Sequence, residues 1–201
     1  MNIILHETQI FGPVDIYAAY TKADILLIEK HEHYQKRSFR NRYDILTANG
    51  RQTLSVPLSK GKNAGIYITD VTISYDENWI VQHLQSIRSA YGKSPYFEFY
   101  FQDLEKLLLK KHKFLFDLNL ESLEFTLKKL KLHVTLEYTN SYQKTYSDTI
   151  DLRKTTWNQT ESRNKYTQVW AEKFEFVPNL SILDLLFCEG PHSVQVLKNI
   201  L

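Results

Sequence analysis

Residues 34–42 read Tyr-Gln-Lys-Arg-Ser-Phe-Arg-Asn-Arg, four cations within nine positions. A guanidinium is a planar fork of donors that keeps its charge at any accessible pH and matches carboxylate or phosphate. Crowding cations costs mutual repulsion, which either acidic protein neighbours or an anionic ligand must offset. If the segment is extended, Lys36, Ser38, Arg40 and Arg42 share one face, and Arg37, Phe39, Asn41 and Tyr43 the other. The first face would form a phosphate or carboxylate cradle, with Asn41 adding an amide suited to polyoxygen ligands. The competing reading is a set of internal ion pairs with Asp24, Glu29 or Glu32.

Glu29, His31 and His33 alternate just upstream. On an extended chain, residues two apart share a face, so a carboxylate and two imidazoles could meet as a metal site. No spaced third anchor follows, and exposed titratable groups are the simpler reading; Glu29 is kept as a candidate base and no metal is assigned. His83 lies one helical turn from Trp79 and another from Ile87, on an apolar face. It is either a core-edge histidine bonded to a neighbour or a general base backed by its helix. Gln9 falls in the loop after the first strand, where α/β folds tend to take ligands. Tyr91 is a further candidate for an orienting hydrogen bond. Cys188, beside Phe187 and without a cation nearby in sequence, reads as a small core residue.

These groups need a scaffold, and 201 residues with 43% hydrophobic content can build one domain over 1–201. Six glycines leave no room for a glycine-rich nucleotide fingerprint. With 25 basic and 23 acidic residues the charge is near balance, which counts against nucleic acid as a partner. A single cysteine excludes an internal disulfide framework and fits a reducing cytoplasm. Met1–Glu7 has no cationic start and a short apolar run, so it is not a signal peptide, and no run is long enough to span a membrane.

Periodicity gives the class as α/β, a single domain with a mixed sheet. Asn2–Leu5 and Ile25–Ile28 read as strands around a helix from Val14 to Tyr20, whose first turn tolerates Pro13. This is a β-loop-α-β opening. Asp44–Ala48 and Gln52–Leu58 flank Asn49-Gly50, a hairpin signal in which both turn residues take positive φ. Ile66–Ile73 reads as a strand. A helical C-terminal half follows: Asn78–Tyr91, a helix after Ser94-Pro95, Asp117–Leu132 with a leucine stripe, then Ser181–Cys188 and Ser193–Ile200. His133–Tyr138 is a late strand, and Asn140–Lys165, without a period, reads as a long loop.

Several pieces occur in an order that resembles the WbqC-like protein family. They are Gln9 with Pro13 and Tyr17, Ala23-Asp24, Glu29, Tyr34-x-Lys36, Ser38-Phe39-Arg40-Asn41-Arg42 and Asn49-Gly50. Leu54-Ser55-Val56-Pro57 follows, then Trp79, His83, Ile87, Ala90-Tyr91 and Ser94-Pro95-Tyr96-Phe97. The tail is Asn179–Phe187 with Glu189-Gly190-Pro191. The loop Ile10–Asp15 departs from the more aromatic pattern expected there. The resemblance implies a bacterial setting, in gene clusters for O-antigen and other surface polysaccharides. It also implies a loose reaction class, transfer of acyl or aminoacyl groups to sugar precursors.

Together these readings suggest a transferase with an anionic small-molecule substrate: a sugar nucleotide, an acyl donor or a nucleotide. Lys36, Arg40 and Arg42 would bind it, Gln9, Asn41 and Tyr91 would orient it, and Glu29 or His83 would act as base. No cofactor is indicated. The alternatives are a nucleotidyltransferase-like protein, whose paired histidines this loop lacks, and a non-enzymatic module binding anions or nucleic acid.

Overall fold

The computed structural model describes residues 1–59, 65–153, 155 and 165–200. In chain order it contains β1 (Ile3–His6), α1 (Val14–Tyr20), β2 (Ile25–Ile28) and the hairpin β3 (Arg42–Thr47) and β4 (Gly50–Ser55). Helices α2 (Trp79–Tyr91), α3 (Phe97–Leu109) and α4 (Leu115–Leu130) follow. Then come β5 (Thr135–Tyr138), β6 (Thr149–Asp151), α5 (Ile182–Glu189) and α6 (Ser193–Ile200). The opening, the hairpin and the helical C-terminal half stand as the periodicity anticipates, in one mixed α/β fold.

Four strands pair in parallel in the order β5-β2-β1-β6. β1 and β2 occupy the centre because they are apolar on both faces, with Ile4, Leu5, Leu26 and Ile28 buried. β5 and β6, carrying Thr135, Glu137, Thr149 and Asp151, lie at the edges, where polar side chains reach water. The register brings His6 opposite Ile28, Ile28 opposite Tyr138, and Leu5 opposite Asp151. All four strands therefore end along one edge, and the residues that follow each of them are brought together.

Four local expectations are corrected. The segment 35–41 is a turn, with Arg37 at φ 58, so Lys36, Ser38, Arg40 and Arg42 do not share a face. The hairpin turns on Ala48-Asn49, and only Gly50, at φ 100 and paired with Thr47, takes positive φ. The stretch 66–73 is a 3-10 turn at Ile68–Asp70 between isolated bridges. Its buried residues, Ile68, Val71 and Ile73, shift from a spacing of three to one of two, which no continuous strand accommodates. Finally, β6 lies inside the stretch read as a loop. Three residues are too few to show a period, and its pairing to β1 depends on a strand far away in sequence. The remainder of that loop at 154 and 156–164 lies outside the described residues.

The aromatic core includes Phe11, Tyr43, Tyr91, Phe97 and Phe187, all fully buried. Phe11 sits at φ 41, a left-handed conformation costing a non-glycine residue on the order of 1 kcal/mol. Edge-on contacts with Tyr43 and Phe125 hold it, as does a 2.8 Å hydrogen bond from Ser181 Oγ to its carbonyl. This strained residue fixes the β1–α1 loop. Among the described residues no helix is long and apolar enough to cross a membrane.

Candidate functional site at the strand ends

The chain builds the sheet outward from β1 to β2 and β5, then returns to place β6 on the other side of β1. Open parallel sheets take ligands outside the carboxyl ends of their strands at such a reversal. Here that edge carries charge, most of it buried: His6 at the end of β1 and Glu7 after it, Glu29 and Glu32 after β2, Arg153 after β6 beside the more exposed Asp151, and Arg40 from the turn.

Arg40, 3% exposed, is bound by Glu32 through both fork positions, Nε to Oε1 at 2.8 Å and NH2 to Oε2 at 2.5 Å. Its NH1 lies 3.7 Å from Glu7 Oε1. Burial opposes this cation, but the Glu32 hydrogen bonds and both carboxylates hold its pKa above the ordinary guanidinium value. Burial pushes the Glu7 and Glu32 carboxyls up, against the pull of Arg40. The backbone fixes the arrangement as well. Ile10 N donates to Phe39 O, tying the basic turn to the β1–α1 loop, and Asn119 Nδ2 donates to Arg40 O at 2.8 Å.

Glu7 Oε1 accepts from Gln9 Nε2 at 3.1 Å, and the same amide nitrogen is 3.4 Å from His6 Nε2. The other imidazole nitrogen, Nδ1, is 2.8 Å from Tyr20 OH. Burial and the Arg40 charge lower the His6 pKa to about 3, so the ring is neutral at ordinary pH. Gln9 reaches inward because residue 12 is glycine: a Cβ there would stand 2.7 Å from Gln9 Oε1.

On the other side, Glu29 is fully buried and accepts four hydrogen bonds. Thr139 Oγ1 (2.8 Å) and His31 N (2.9 Å) donate to Oε1; Arg153 NH1 (3.0 Å) and Tyr146 OH (3.4 Å) donate to Oε2. Arg153 also clamps Asp151 and stacks against the rings of Tyr142 and Tyr146, each 5.2 Å away.

Beneath the cluster, α4 turns a polar stripe inward. Asn119 meets Thr8 and Arg40 O, Ser122 donates to Gln9 O, and Thr126 pairs with Tyr17 OH. All three are fully buried. Their spacing of three and four residues, interleaved with the leucine stripe, is the signal that marks them in the sequence.

The structure thus brings Gln9, Glu29 and Arg40 to one edge. Asn41 is nearby in sequence but closed, accepting from Tyr34 OH and donating to Val56 O. Arg42 begins β3, and its buried Nε meets no partner among the described residues. Lys36 is exposed on the turn. His83 lies against the hairpin, with Nδ1 2.9 Å from Tyr43 OH and Nε2 3.2 Å from Ser55 O; burial lowers its pKa to about 4. Tyr91 is buried beside Asp184 and accepts from Leu46 N. None of these hydrogen bonds of His83 or Tyr91 reaches the strand ends. His31 and His33 separate, the first onto Thr139 O and the second stacked on Tyr67, because the strand has ended at Ile28. Among the described residues no three His, Cys, Asp or Glu side chains group as metal ligands.

His6, Glu7, Asp151, Arg153 and Asn119 join this edge without having stood out by residue type and spacing in the sequence. His6 and Glu7 are legible as the polar end of the first apolar run; Asp151 and Arg153 depend on the pairing of β6.

The WbqC-like protein family matches residues 11–156 and 147–196, and the chain belongs to that family. No curated protein and no solved structure matches it.

Proposed function

We propose that this protein is a group transferase, moving an acyl or aminoacyl group onto a sugar precursor in bacterial surface-polysaccharide assembly. The family resemblance supplies the setting. The observation that carries the chemistry is Glu7: a buried carboxyl at the reversal point of the sheet, steered by Arg40 and Gln9, with one oxygen that has no hydrogen-bond partner among the described residues and lies 3.5 Å from the neutral His6 ring. Burial raises its pKa, against the pull of Arg40 and the Gln9 hydrogen bond, and a positioned carboxyl of this kind is a candidate general base. We therefore assign the base role to Glu7, where the sequence suggests Glu29 or His83.

In the proposed step an amine or hydroxyl of the acceptor attacks the acyl carbon of an activated ester or thioester donor. The new bond to carbon forms, the bond to the leaving oxygen or sulfur breaks, and the proton released on attack passes to Glu7 Oε2 and then to the leaving group. Gln9 orients the acceptor. Arg40 positions Glu7 and Glu32, so Lys36 and Arg37 on the exposed side of the turn, with Arg42, whose Nε meets no partner among the described residues, are the cations of this segment left for an anionic precursor. Glu29, with four donors, positions Arg153 and the β2 terminus.

A panel of sugar nucleotides, acyl and aminoacyl thioesters and nucleoside triphosphates, read by thermal shift and by mass change of the sugar nucleotide, tests this reading. The expected result is a sugar nucleotide gaining the acyl mass with wild type and not with Glu7→Gln. Stabilisation by a nucleoside triphosphate with Mg²⁺ alone, with no mass gain, would replace it with nucleotidyl chemistry.

A further inference from the structure

Among the described residues, carboxyls outnumber guanidiniums at the strand ends. The carboxyl groups of Glu7, Glu29, Glu32 and Asp151 face the guanidiniums of Arg40 and Arg153. Arg40 spends its fork on Glu32, and Arg153 spends its own on Asp151 and Glu29. Three oxygens on residues at least nine-tenths buried, Glu7 Oε2, Gln9 Oε1 and Asn119 Oδ1, meet no hydrogen-bond partner among the described residues. Leaving a buried acceptor unmatched costs about 1–3 kcal/mol, so three in one cluster mark a place where donors are missing. The neutral His6 ring, with Nε2 3.5 Å from Glu7 Oε2, adds no charge to offset the carboxylates. An anion entering here would meet excess negative charge and guanidiniums already engaged.

We propose that this site binds a primary amine, taken up as an ammonium whose N–H groups go to Glu7 Oε2 and Gln9 Oε1. The inference rests on the reading of the strand ends as the group-transfer site and names the chemistry of one substrate. An ammonium supplies what the cluster lacks, several donors on one small cation. Gly12 is part of the device, because a side chain at that position would collide with Gln9 Oε1. A primary amine has two sources in such a reaction: an amino sugar as acceptor, or the α-amino group of an aminoacyl donor.

Calorimetric titration of the intact protein near neutral pH with D-glucosamine and with glycinamide distinguishes the sources. D-glucose, N-acetyl-D-glucosamine and inorganic phosphate are the controls. The expected result is binding of at least one amine, with glucose and N-acetylglucosamine weaker by about tenfold or more and no competition from phosphate. Glu7→Gln and Gly12→Ala should each weaken the amine by about tenfold or more, with unchanged circular dichroism. If Glu7→Gln does not fold, Gly12→Ala decides. No amine binding, equal binding of the neutral analogues, displacement by phosphate, or wild-type affinity in the folded variants would overturn the inference. The titration reads binding and no transfer, so transfer without amine preference removes this inference alone. Amine binding without transfer removes only the group-transfer reading.

Discussion

Asp184 and Glu7 are both buried carboxyls, and the protein surrounds them differently. Asp184, in α5, accepts from Tyr166 OH at 2.6 Å and Gln168 Nε2 at 3.2 Å, with a looser contact from Tyr91. Its hydrogen-bonding neighbours are neutral and come from α2 and the C-terminal segment, so the group ties elements together. Burial raises its pKa, and these donors act against the rise. Glu7 instead sits among other carboxylates and a shared guanidinium, on a loop braced by a strained Phe11; each carboxyl keeps one oxygen, Asp184 Oδ1 and Glu7 Oε2, without a hydrogen-bond partner among the described residues. The first carboxyl is held by neutral donors that tie elements together. The second stands among charges at the sheet's reversal point, which is the character expected of a site held ready by the rest of the fold.

The contrast breaks first at Arg40. Arg40→Ala leaves Glu32 and Glu7 buried without their cation, and urea unfolding should show a loss of about 3–5 kcal/mol. Arg40→Met combined with Glu32→Leu should recover more than half of that loss, since an apolar pair removes both charges. Recovery would identify Arg40 as a positioning residue; an Arg40→Ala protein of wild-type stability would show that the buried pair is not formed.

Asp184→Ala should cost about 1–3 kcal/mol in the same assay by stranding the donors of Tyr166 and Gln168, while amine binding stays at the wild-type level. A change in binding would join the two regions that the comparison separates.

Stability should also depend on pH through both regions. His6 and His83 are held neutral to about pH 3 and 4, whereas unfolded histidine takes a proton near pH 6.5. Their contribution is complete above that value and is lost as pH falls toward 4, by up to about 1.4 kcal/mol per pH unit for each histidine. Glu7, Glu32 and Asp184, with raised values, act in the other direction: the folded state holds their protons longer, so stability declines as pH rises above their unfolded range. Urea midpoints measured from pH 4 to 7 should rise less steeply in His83→Gln than in wild type; an unchanged slope would mean that His83 titrates normally.

Gly12→Ala should lower stability by less than about 1 kcal/mol, because the colliding atom is the mobile end of Gln9. A larger thermal loss would show that the loop backbone, and not the Gln9 amide, depends on this glycine. Lys36→Ala, at an exposed turn position, should stay within about 0.5 kcal/mol of wild type. It should weaken the sugar-nucleotide response more than the amine response, and the reverse order would move the anion contact elsewhere.

Much of this molecule is written in local pattern. The apolar runs of β1 and β2, the Asn49-Gly50 punctuation and the stripe of Trp79, His83 and Ile87 each depend on neighbours within a few residues, so they are legible without a partner strand. Ser181 likewise declares itself as a cap, accepting from Leu183 N. The basic turn shows the limit. Its composition announces many cations, but whether Arg40 meets a ligand or Glu32 depends on Arg37 adopting φ 58 and folding the turn back onto the end of β2. The identity of the site depends still more on distance in sequence. His6, Glu29, Thr139 and Asp151 become neighbours only because four short strands align in parallel, and a parallel pairing carries no signal in any single stretch of chain. Local chemistry therefore determined the elements and the supply of charged groups. The sheet register, which pairs β5 and β6 with strands more than a hundred positions away, decided which of those charges neutralise one another and which are left facing outward from the strand ends.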